Sequence, residues 1–578
     1  MGKRKNLLAV VGTVILLLSL AVPMMQCAPA AEEEVTPPAE EEVTPPSGEE
    51  VTPPSEEEGE IKYGGRLIIG SDTPMDTLTM DMKLMWTNWG CLYLMLVYDN
   101  YALYGLNPDT YSHIPSLVQS YEVSEDGKTW TLHLVENATW HDGVPFTAED
   151  VAFTFEYLHN KTPGWGGHDK DWEEVEIIDD YTVKAVNAIG LSTDFSPGWW
   201  RWDPVIPKHI FEPYKDDILS FPNEGSIGTG AFKLKEFKTD QYMWLVANED
   251  YWGERPYVDE VVFRYYGTAD AALMALQSGE VDVFGGNLVS PLAIDVVEAD
   301  PDIHVEMTEG LGESYLAFNL HPDGPLQDKD VRHAIAYGID RDRIIDMAYS
   351  GLAKRCDAWC YPESQMHNPD LPQYEYSPDK ANEILDGAGY LDTDGDGIRN
   401  DPATGENLVF GLSTSASATA YVKTCTLISE MLPAIGIQAD FTAMDPDSFL
   451  DFLYNPMSDR LEMFVYGEDP SPDPWSDWVW QEDVGWDAGG EWWNPTYWSN
   501  PRFNQLWVEN SCAKSIEEKK AILYEMQEIM AEDLARIFLA RSEVISVWRT
   551  DKFEGWVNTV GGPVSWLNSY SIMNIHLK

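Results

Sequence analysis

GTGAFKLKEFKTDQYMWLVANEDYWGERPYVDEVVFRYYGTADAALMALQSGEVDVF, residues 228–284, changes its hydrophobic period several times and so decides the fold class. Ala231–Phe237 and Tyr242–Ala247 alternate apolar and polar side chains at period two, the pattern of two half-buried strands joined by a polar turn. Val258–Tyr265 reads as a third strand. Ala269–Ser278 then switches to helical spacing, and Val281-Asp-Val-Phe284 is a short strand again. A strand, a helix and a strand in succession are a crossover connection, which places this stretch in an open α/β sheet.

The same alternation extends to both sides. Upstream, Gly64–Gly70 reads as an entering strand, followed by Ser120–Ser124 and Thr129–Leu134 around the turn Glu125-Asp-Gly-Lys128. The Asp126-Gly127 pair supplies the positive φ that a tight turn needs. Thr147 with Asp150 three residues on predicts a capped helix start, with Val151, Phe155 and Leu158 as its apolar stripe. Downstream come a strand at Tyr315–Asn319 and a helix carrying Val331, Ile335 and Ile339. Pro378–Ala388 and Ala420–Leu432 read as helices, Leu408–Ser413 and Gln438–Thr442 as strands, and Ile516–Ala540 as one long amphipathic helix. A chain of 578 residues exceeds what one core supports, so two or three packed units are expected.

Composition narrows the function. With 98 acidic and 37 basic residues the formal net charge is -61. Such a surface repels phosphate backbones, which excludes nucleic acid as a partner. Acidity keeps a secreted protein soluble; a preference for cationic ligands is the other reading. No GxxxxGK[ST] loop, GxSxG elbow or HExxH pair occurs, so nucleotide hydrolysis, serine-type acyl transfer and zinc-protease chemistry have no motif here.

The first 27 residues have the layout of a secretion signal: Lys3, Arg4 and Lys5, an apolar run Leu7–Met25, then Cys27. The pattern resembles a bacterial lipoprotein signal in which Cys27 carries the lipid, and an uncleaved membrane helix is the alternative. Residues 31–54 repeat the octad AEEEVTPP, AEEEVTPP, SGEEVTPP. Proline pairs stiffen this stretch and its Glu clusters repel, so it makes no core. At about 3.1 Å per residue the whole segment 28–61 reaches up to roughly 100 Å from a membrane surface. Both readings put the body outside the cytoplasm, on the outer face of the cell membrane. Beyond Cys27 there are five cysteines, an odd number; Cys356 and Cys360 in CDAWC read as a local disulfide or two thiols.

Four blocks carry a family resemblance. They are Pro115–Trp130 with Trp140–Val151; Gly228–Lys233 with Asn248–Gly253 and Ala275–Asp282; Phe318-Asn319 with Asp330–Arg341; and Tyr376–Leu385. In this order they resemble family 5 of the extracellular solute-binding proteins, the oligopeptide, dipeptide and nickel binders of ABC importers. The resemblance implies an α/β, two-lobed periplasmic-binding-protein-like fold with an extra subdomain in the first lobe. It divides the chain into a signal or anchor (1–27), a disordered acidic tether (28–61) and the first part of lobe I (62–106). The extra subdomain (107–224), the second part of lobe I (225–310), lobe II (311–545) and a return to lobe I (546–578) follow. It also implies a monomer that captures a small solute and releases it unchanged to membrane permease subunits, with ATP hydrolysed by separate subunits. No catalytic residue and no required cofactor are expected.

In peptide binders of this family an acidic residue in a short Asp-Pro loop of lobe II pairs with the ligand's ammonium. The matching stretch here is Tyr466–Trp475, with Asp469 as the best match and Glu468 and Asp473 next. The same segment also reads as a plain acidic surface loop. Beside it, Trp475, Trp478, Trp480, Trp486, Trp492, Trp493, Tyr497, Trp498 and Trp507 form a dense aromatic cluster. Indole faces line concave sites and stack on sugars, so an oligosaccharide is the alternative cargo, while packing between loops and core is the bland reading. Trp475 and Trp478, with Trp86 and Trp89 after the first strand, are the cleft candidates. Asp392-Thr-Asp-Gly-Asp-Gly-Ile-Arg-Asn-Asp401 spaces Asp392, Asp394, Asp396 and Asn400 like a calcium loop, though Ala403 stands where an EF-hand has its bidentate Glu. Structural calcium and a solvated acidic turn are both open. Two other classes stand against capture for import: a secreted carbohydrate hydrolase using paired carboxylates, and a solute-sensing receptor.

Overall fold

The computed structural model describes residues 61–72, 75, 77–80, 88–99, 102–103, 114–159, 172–187, 204–285, 294, 297–320, 324–360, 362, 364–446, 448–449, 453, 462–468, 496–513, 515–557, 562, 564 and 569–578. The signal-like segment, Cys27 and the octad tether lie outside them. Among the described residues no helix is long and apolar enough to cross a membrane.

The chain opens with β1 (Arg66–Ser71) and α1 (Asn88–Val97). Leu67 and Ile69 of β1 are fully buried, each worth roughly 1.5–3 kcal/mol of apolar burial. A separate antiparallel sheet follows, made of β2 (Val118–Val123), β3 (Thr129–Leu134), β4 (Trp172–Asp179) and β5 (Thr182–Asn187) in the order β2-β3-β5-β4. The predicted Glu125–Lys128 turn joins β2 to β3, with Gly127 at φ 70°. Its helix α2 (Ala148–Phe153) starts at Thr147, whose N–H donates to Asp150 Oδ2 at 3.0 Å. Residues 154–159 continue it as a single wider π-helical turn.

The decisive stretch folds as read, into β6 (Phe232–Lys238), β7 (Tyr242–Ala247), β8 (Glu260–Tyr265), α3 (Ala269–Gln277) and β9 (Val283–Phe284). The strand expected at Tyr315–Asn319 is the end of a far longer one, β10 (Ile303–Phe318). The second half of the chain then supplies α4 (Lys329–Gly338), α5 (Arg341–Ala348), β11 (Ala353–Arg355) and α6 (Pro378–Ala388). Next come β12 (Val409–Ser415), α7 (Thr419–Met431), β13 (Gln438–Met444) and β14 (Met463–Glu468). The last long elements are α8 (Pro501–Cys512), α9 (Ile516–Asp533) and β15 (Arg536–Arg549). Helix α6 occupies the predicted residues because its ends are chemically fixed. Ser377 Oγ accepts from Lys380 N–H, Pro378 takes the first turn, and Gly389 closes it at φ 90°.

The long helix expected over Ile516–Ala540 is a correction. It stops at Asp533, Leu534 turns left-handed (φ 45°), and residues from Arg536 onward are strand. Partners far away in sequence decide this. Met307 pairs with Ile545 and Leu316 with Ile537, so the hydrogen bonds of this segment go to β10 and not along a helix. Ile339 likewise falls outside α4, which ends at Gly338.

One eleven-stranded sheet runs through both halves in the order β13-β12-β14-β10-β15-β9-β1-β8-β7-β6, with β11 also paired to β15. Strands β9, β1, β8, β7 and β6 belong to the first lobe; β13, β12, β14 and β11 belong to the second. The lobes are joined by the antiparallel pair β10 and β15, paired from Ile303↔Arg549 to Ala317↔Arg536. Leu67, Phe232, Leu245 and Val261 lie in one apolar cluster; Leu316, Ile335, Leu412 and Phe464 lie in another, which also takes in Trp130, Trp140 and Phe146 of the separate four-stranded sheet and its loops.

Candidate functional site

Strand direction locates the cleft. In the first lobe β1 is parallel to both β8 and β9, so all three carboxyl ends lie on one edge. Strand β15 enters from the second lobe and runs antiparallel to β9, pairing Phe284 with Val547. The carboxyl edge of the first lobe therefore faces the second. In the second lobe β12, β13 and β14 are parallel, and β14 is antiparallel to β10, with Glu468 opposite Glu313 and Met463 opposite Phe318. Since β10 arrives from the first lobe, the carboxyl ends of β14, β12 and β13 point back toward it. Open α/β sheets present ligands at that edge, and here two such edges confront each other.

The crossing is irregular at its centre. The pairing of β10 with β15 shifts between Glu309 and Glu313 and again between Ser314 and Tyr315, so the ladder is interrupted at Gly310-Leu-Gly312. A Cβ on Gly310 would lie 2.3 Å from the Ser542 carbonyl oxygen, so only glycine lets the two strands approach this closely. Directly beyond the bulge, Arg541 Nη2 lies 3.2 Å from Glu313 Oε2, and both side chains are almost wholly buried. The guanidinium also donates to the Trp359 carbonyl at 3.0 Å, which ties the loop after β11 to the crossing.

The acidic-loop candidate grows from the end of β14. Glu468 closes that strand, directly opposite the buried Glu313 in the register; the placement of its side chain, and all of Asp469, Asp473, Trp475 and Trp478, lie outside the described residues. Gly467, just before, is a close-approach position. A Cβ there would meet Tyr421 Oη at 2.1 Å and the Glu313 carbonyl at 2.6 Å. Tyr421, in the first turn of α7, thus lies across the root of the loop. Trp86 lies outside the described residues, as does the side chain of Trp89 in α1.

Three members of the aromatic cluster are placed: Tyr497 is half-buried with left-handed backbone (φ 55°), and Trp498 and Trp507 are core. Trp498 is buried, donates from Nε1 to Asp533 Oδ2 at 2.9 Å and packs edge-on against Phe503 at 4.9 Å. Trp507 is buried with it. For these two the bland reading holds. In CDAWC, no disulfide joins Cys356 to Cys360; Cys356 Sγ instead lies 2.8 Å from the Ala358 carbonyl oxygen.

In the calcium-like loop, carboxylate oxygens of Asp392, Asp394 and Asp396 lie within 4.8 Å of one another and are exposed. Each also accepts backbone N–H groups of the loop: Asp392 from Gly395 (2.6 Å) and Gly397 (3.0 Å), Asp394 from Asp396, and Asp396 from Ile398. The Gly395 bond is the main cause holding the Asp392 carboxyl below its usual range. Asn400 is engaged differently. Its Oδ1 accepts from both Thr393 N–H and Thr393 Oγ1, and its Nδ2 donates to Asn407 Oδ1 at 2.6 Å. These bonds fill both Oδ1 lone pairs.

The sequence profile described as bacterial extracellular solute-binding proteins, family 5 Middle, matches residues 113–514. The oligopeptide-binding protein AppA of Bacillus subtilis is 28% identical over 370 residues, covering 61% of this chain and 65% of its own length. The dipeptide-binding protein of Escherichia coli is 30% identical over 302 residues, covering 48% and 55%. Both alignments span less than two thirds of the relative's own length. Among solved structures, Bacillus subtilis AppA in complex with a nonapeptide superposes with TM-score 0.75 at 23% identity, covering 90% of this chain and 100% of that one. A Thermotoga maritima oligopeptide-binding protein with bound mannohexaose gives 0.71 at 22% identity, covering 89% and 98%. At these identities the structural likeness speaks for the two-lobed fold.

Proposed function

We propose, from the premise that this chain belongs to family 5 of the bacterial extracellular solute-binding proteins, that it captures an oligopeptide between its lobes for an ABC importer. The observation that carries this reading is the confrontation of two strand carboxyl edges across a bulged, two-strand crossing. Two rigid bodies joined in that way have open and closed arrangements, and a solute that touches both lobes favours the closed one. Membrane permease subunits then receive the solute, with ATP hydrolysed by separate subunits. The family is one of binding proteins, and capture with release requires no catalytic group in this chain.

The charged end of a peptide is the natural partner for the acidic loop. Asp469, with Glu468 and Asp473 beside it, is the proposed acceptor for the ammonium, through a charge-assisted bond in a closed cleft. The relatives named for peptides favour this cargo. An oligosaccharide is the second reading, favoured by the indoles of residues 475–493 and by the mannohexaose held in the Thermotoga maritima protein. Mass spectrometry of small molecules released on denaturing the purified protein separates them. Peptides of unaltered sequence support the first reading, and glycans replace it with the second.

The remaining features fit a tethered monomer on the outer face of the cell membrane. Cys27 is the proposed lipid site and residues 31–54 the stiff leash. Asp392, Asp394 and Asp396 are the proposed ligands of a structural calcium ion, whose oxygen-rich demands three converging carboxylates suit. Asn400 stays in the proposed loop as a brace through its bonds to Thr393 and Asn407.

A further inference from the structure

The first-lobe sheet continues outward from β1 through β8, β7 and β6, and its two faces differ. Leu67, Val261, Leu245 and Phe232 fill one face and are buried. The other face meets α3 at Ile68 of β1; farther out, over β8, β7 and β6, its side chains are exposed or half-buried. Register places Arg66, Arg264, Lys233 and Lys238 at the corners of this open area, with Trp244 and Tyr242 between them. Lys235, the extra residue where the pairing of β6 with β7 shifts, folds over the same face.

The cations lie against the aromatic rings. Arg66 is 4.5 Å and Lys235 3.7 Å from the centre of the Trp244 ring, and Lys238 is 5.0 Å from that of Tyr242. Glu260 pairs with Arg66 and Lys235, and Glu236 with Lys238 at 3.3 Å. At the rim Asp250 reaches Lys233 at 3.9 Å and Glu280 reaches Arg264 at 2.6 Å. Five cations thus meet four carboxylates, in a chain whose acidic residues outnumber its basic ones 98 to 37. Exposed pairs of this kind hold little energy, so these cations can exchange partners for another anion.

The place where the chain enters the body adds a second argument. Ile61, the first described residue, stands five positions before Arg66; Ile61 and Tyr63 are exposed there, and Arg255 lies over the Tyr63 ring. A leash of residues 28–61 therefore joins the first lobe at the margin of this face, and its reach of roughly 100 Å leaves a membrane accessible to it. Lys and Arg draw a surface toward anionic lipid, and Trp and Tyr settle at the headgroup level. Repulsion from the net charge of -61 is screened beyond about 8 Å at physiological ionic strength, so the charges nearest the bilayer decide. We propose that this cationic, aromatic face docks the first lobe onto anionic phospholipid headgroups of the membrane that holds the tether. The proposal goes beyond solute capture and rests on the tethered location proposed above; it leaves the second lobe clear to close.

The test mixes the full chain with vesicles of phosphatidylcholine alone or of equimolar phosphatidylglycerol and phosphatidylcholine. Flotation reads binding, and acetylation by acetic anhydride, mapped by mass spectrometry, reads the exposure of each lysine. With phosphatidylglycerol, acetylation of Lys233, Lys235 and Lys238 is expected to slow about fivefold or more and to recover at about 1 M salt. Lys423, exposed on α7 of the second lobe, is expected to react unchanged. Lys235→Glu/Lys238→Glu, at two exposed positions, is expected to abolish the protection of Lys233 with the melting temperature unaltered. Flotation with both vesicles and equal lysine reactivity on each overturns the docking and leaves the tether standing. Flotation with neither overturns docking and tether together. Protection by poly-glutamate in solution but not by the vesicles overturns the lipid partner and gives the face to an acidic polypeptide.

Discussion

Removing Arg541 alone should damage this protein far more than removing Arg541 together with Glu313. Their closest atoms are 3.2 Å apart and both side chains are almost wholly buried. At an effective dielectric of about 20, unit charges at that separation attract by about 5 kcal/mol. Desolvation of both ions offsets much of this, so the pair's net worth is small, yet either ion alone is strongly unfavourable. Arg541→Met should therefore cost roughly 3–5 kcal/mol, because Glu313 is left charged and buried and the Trp359 carbonyl loses its donor. Glu313→Met/Arg541→Met should recover to within about 1–2 kcal/mol of wild type. The assay is urea unfolding followed by tryptophan fluorescence, run as a double-mutant cycle with the denaturant slope checked for constancy. A coupling energy under about 0.5 kcal/mol would refute the idea that this pair works as a unit at the crossing.

Further outcomes follow from the same geometry. His141 Nε2 lies 3.0 Å from the Gly230 carbonyl oxygen while its Nδ1 accepts from the Gly228 N–H at 3.2 Å, an arrangement that only the neutral ring satisfies, and burial holds its pKa down at about 4. A depressed pKa makes its contribution present above about 6.5 and lost as pH falls toward 4; acid titration of stability should show a loss of roughly 2–3 kcal/mol over that window that His141→Gln removes. Gly310→Val should force β10 away from the Ser542 carbonyl, lowering stability by roughly 1–3 kcal/mol and speeding hydrogen exchange at residues 305–313; unchanged exchange there counts against a tight crossing. Asp469→Asn should weaken binding of a free-amine peptide about tenfold or more with the melting temperature unchanged, and equal calorimetric affinities reject Asp469 as the ammonium acceptor.

Local chemistry made much of the fold readable in advance. The period-two runs at residues 231–247, the Asp126-Gly127 turn and the Ser377/Pro378/Gly389 punctuation of α6 all act within a few residues, so sequence alone placed those elements. The crossing was not readable, because its bonds join residues more than two hundred positions apart. Ile303–Ser314 and Arg536–Arg549 become strands by pairing with each other, and the second follows so smoothly from α9 that helical periodicity runs into it. One signal was available: Gly310-Leu-Gly312 inside an alternating stretch is the mark of a bulge. The Glu313–Arg541 pair had no such mark. At the candidate site the acidic loop is proposed from its family motif, and the close approach at its root was not readable, since nothing local says that Gly467 leaves room for the Tyr421 hydroxyl. Trp498 and Trp507 show why clustered indoles alone are a poor guide: both are buried, Trp498 through its bond to Asp533 and its contact with Phe503.

The distance between the two strand edges is the quantity on which capture depends. Nitroxide labels at Lys238→Cys, at the end of β6, and Ser417→Cys, beyond the carboxyl end of β12, sit on exposed positions of opposite edges. Double electron–electron resonance on the labelled protein, before and after saturation with a tryptic casein digest, should show the distance distribution shorten and narrow as peptide binds. An unchanged distribution in protein that has demonstrably taken up peptide would contradict closure of the two lobes around a solute.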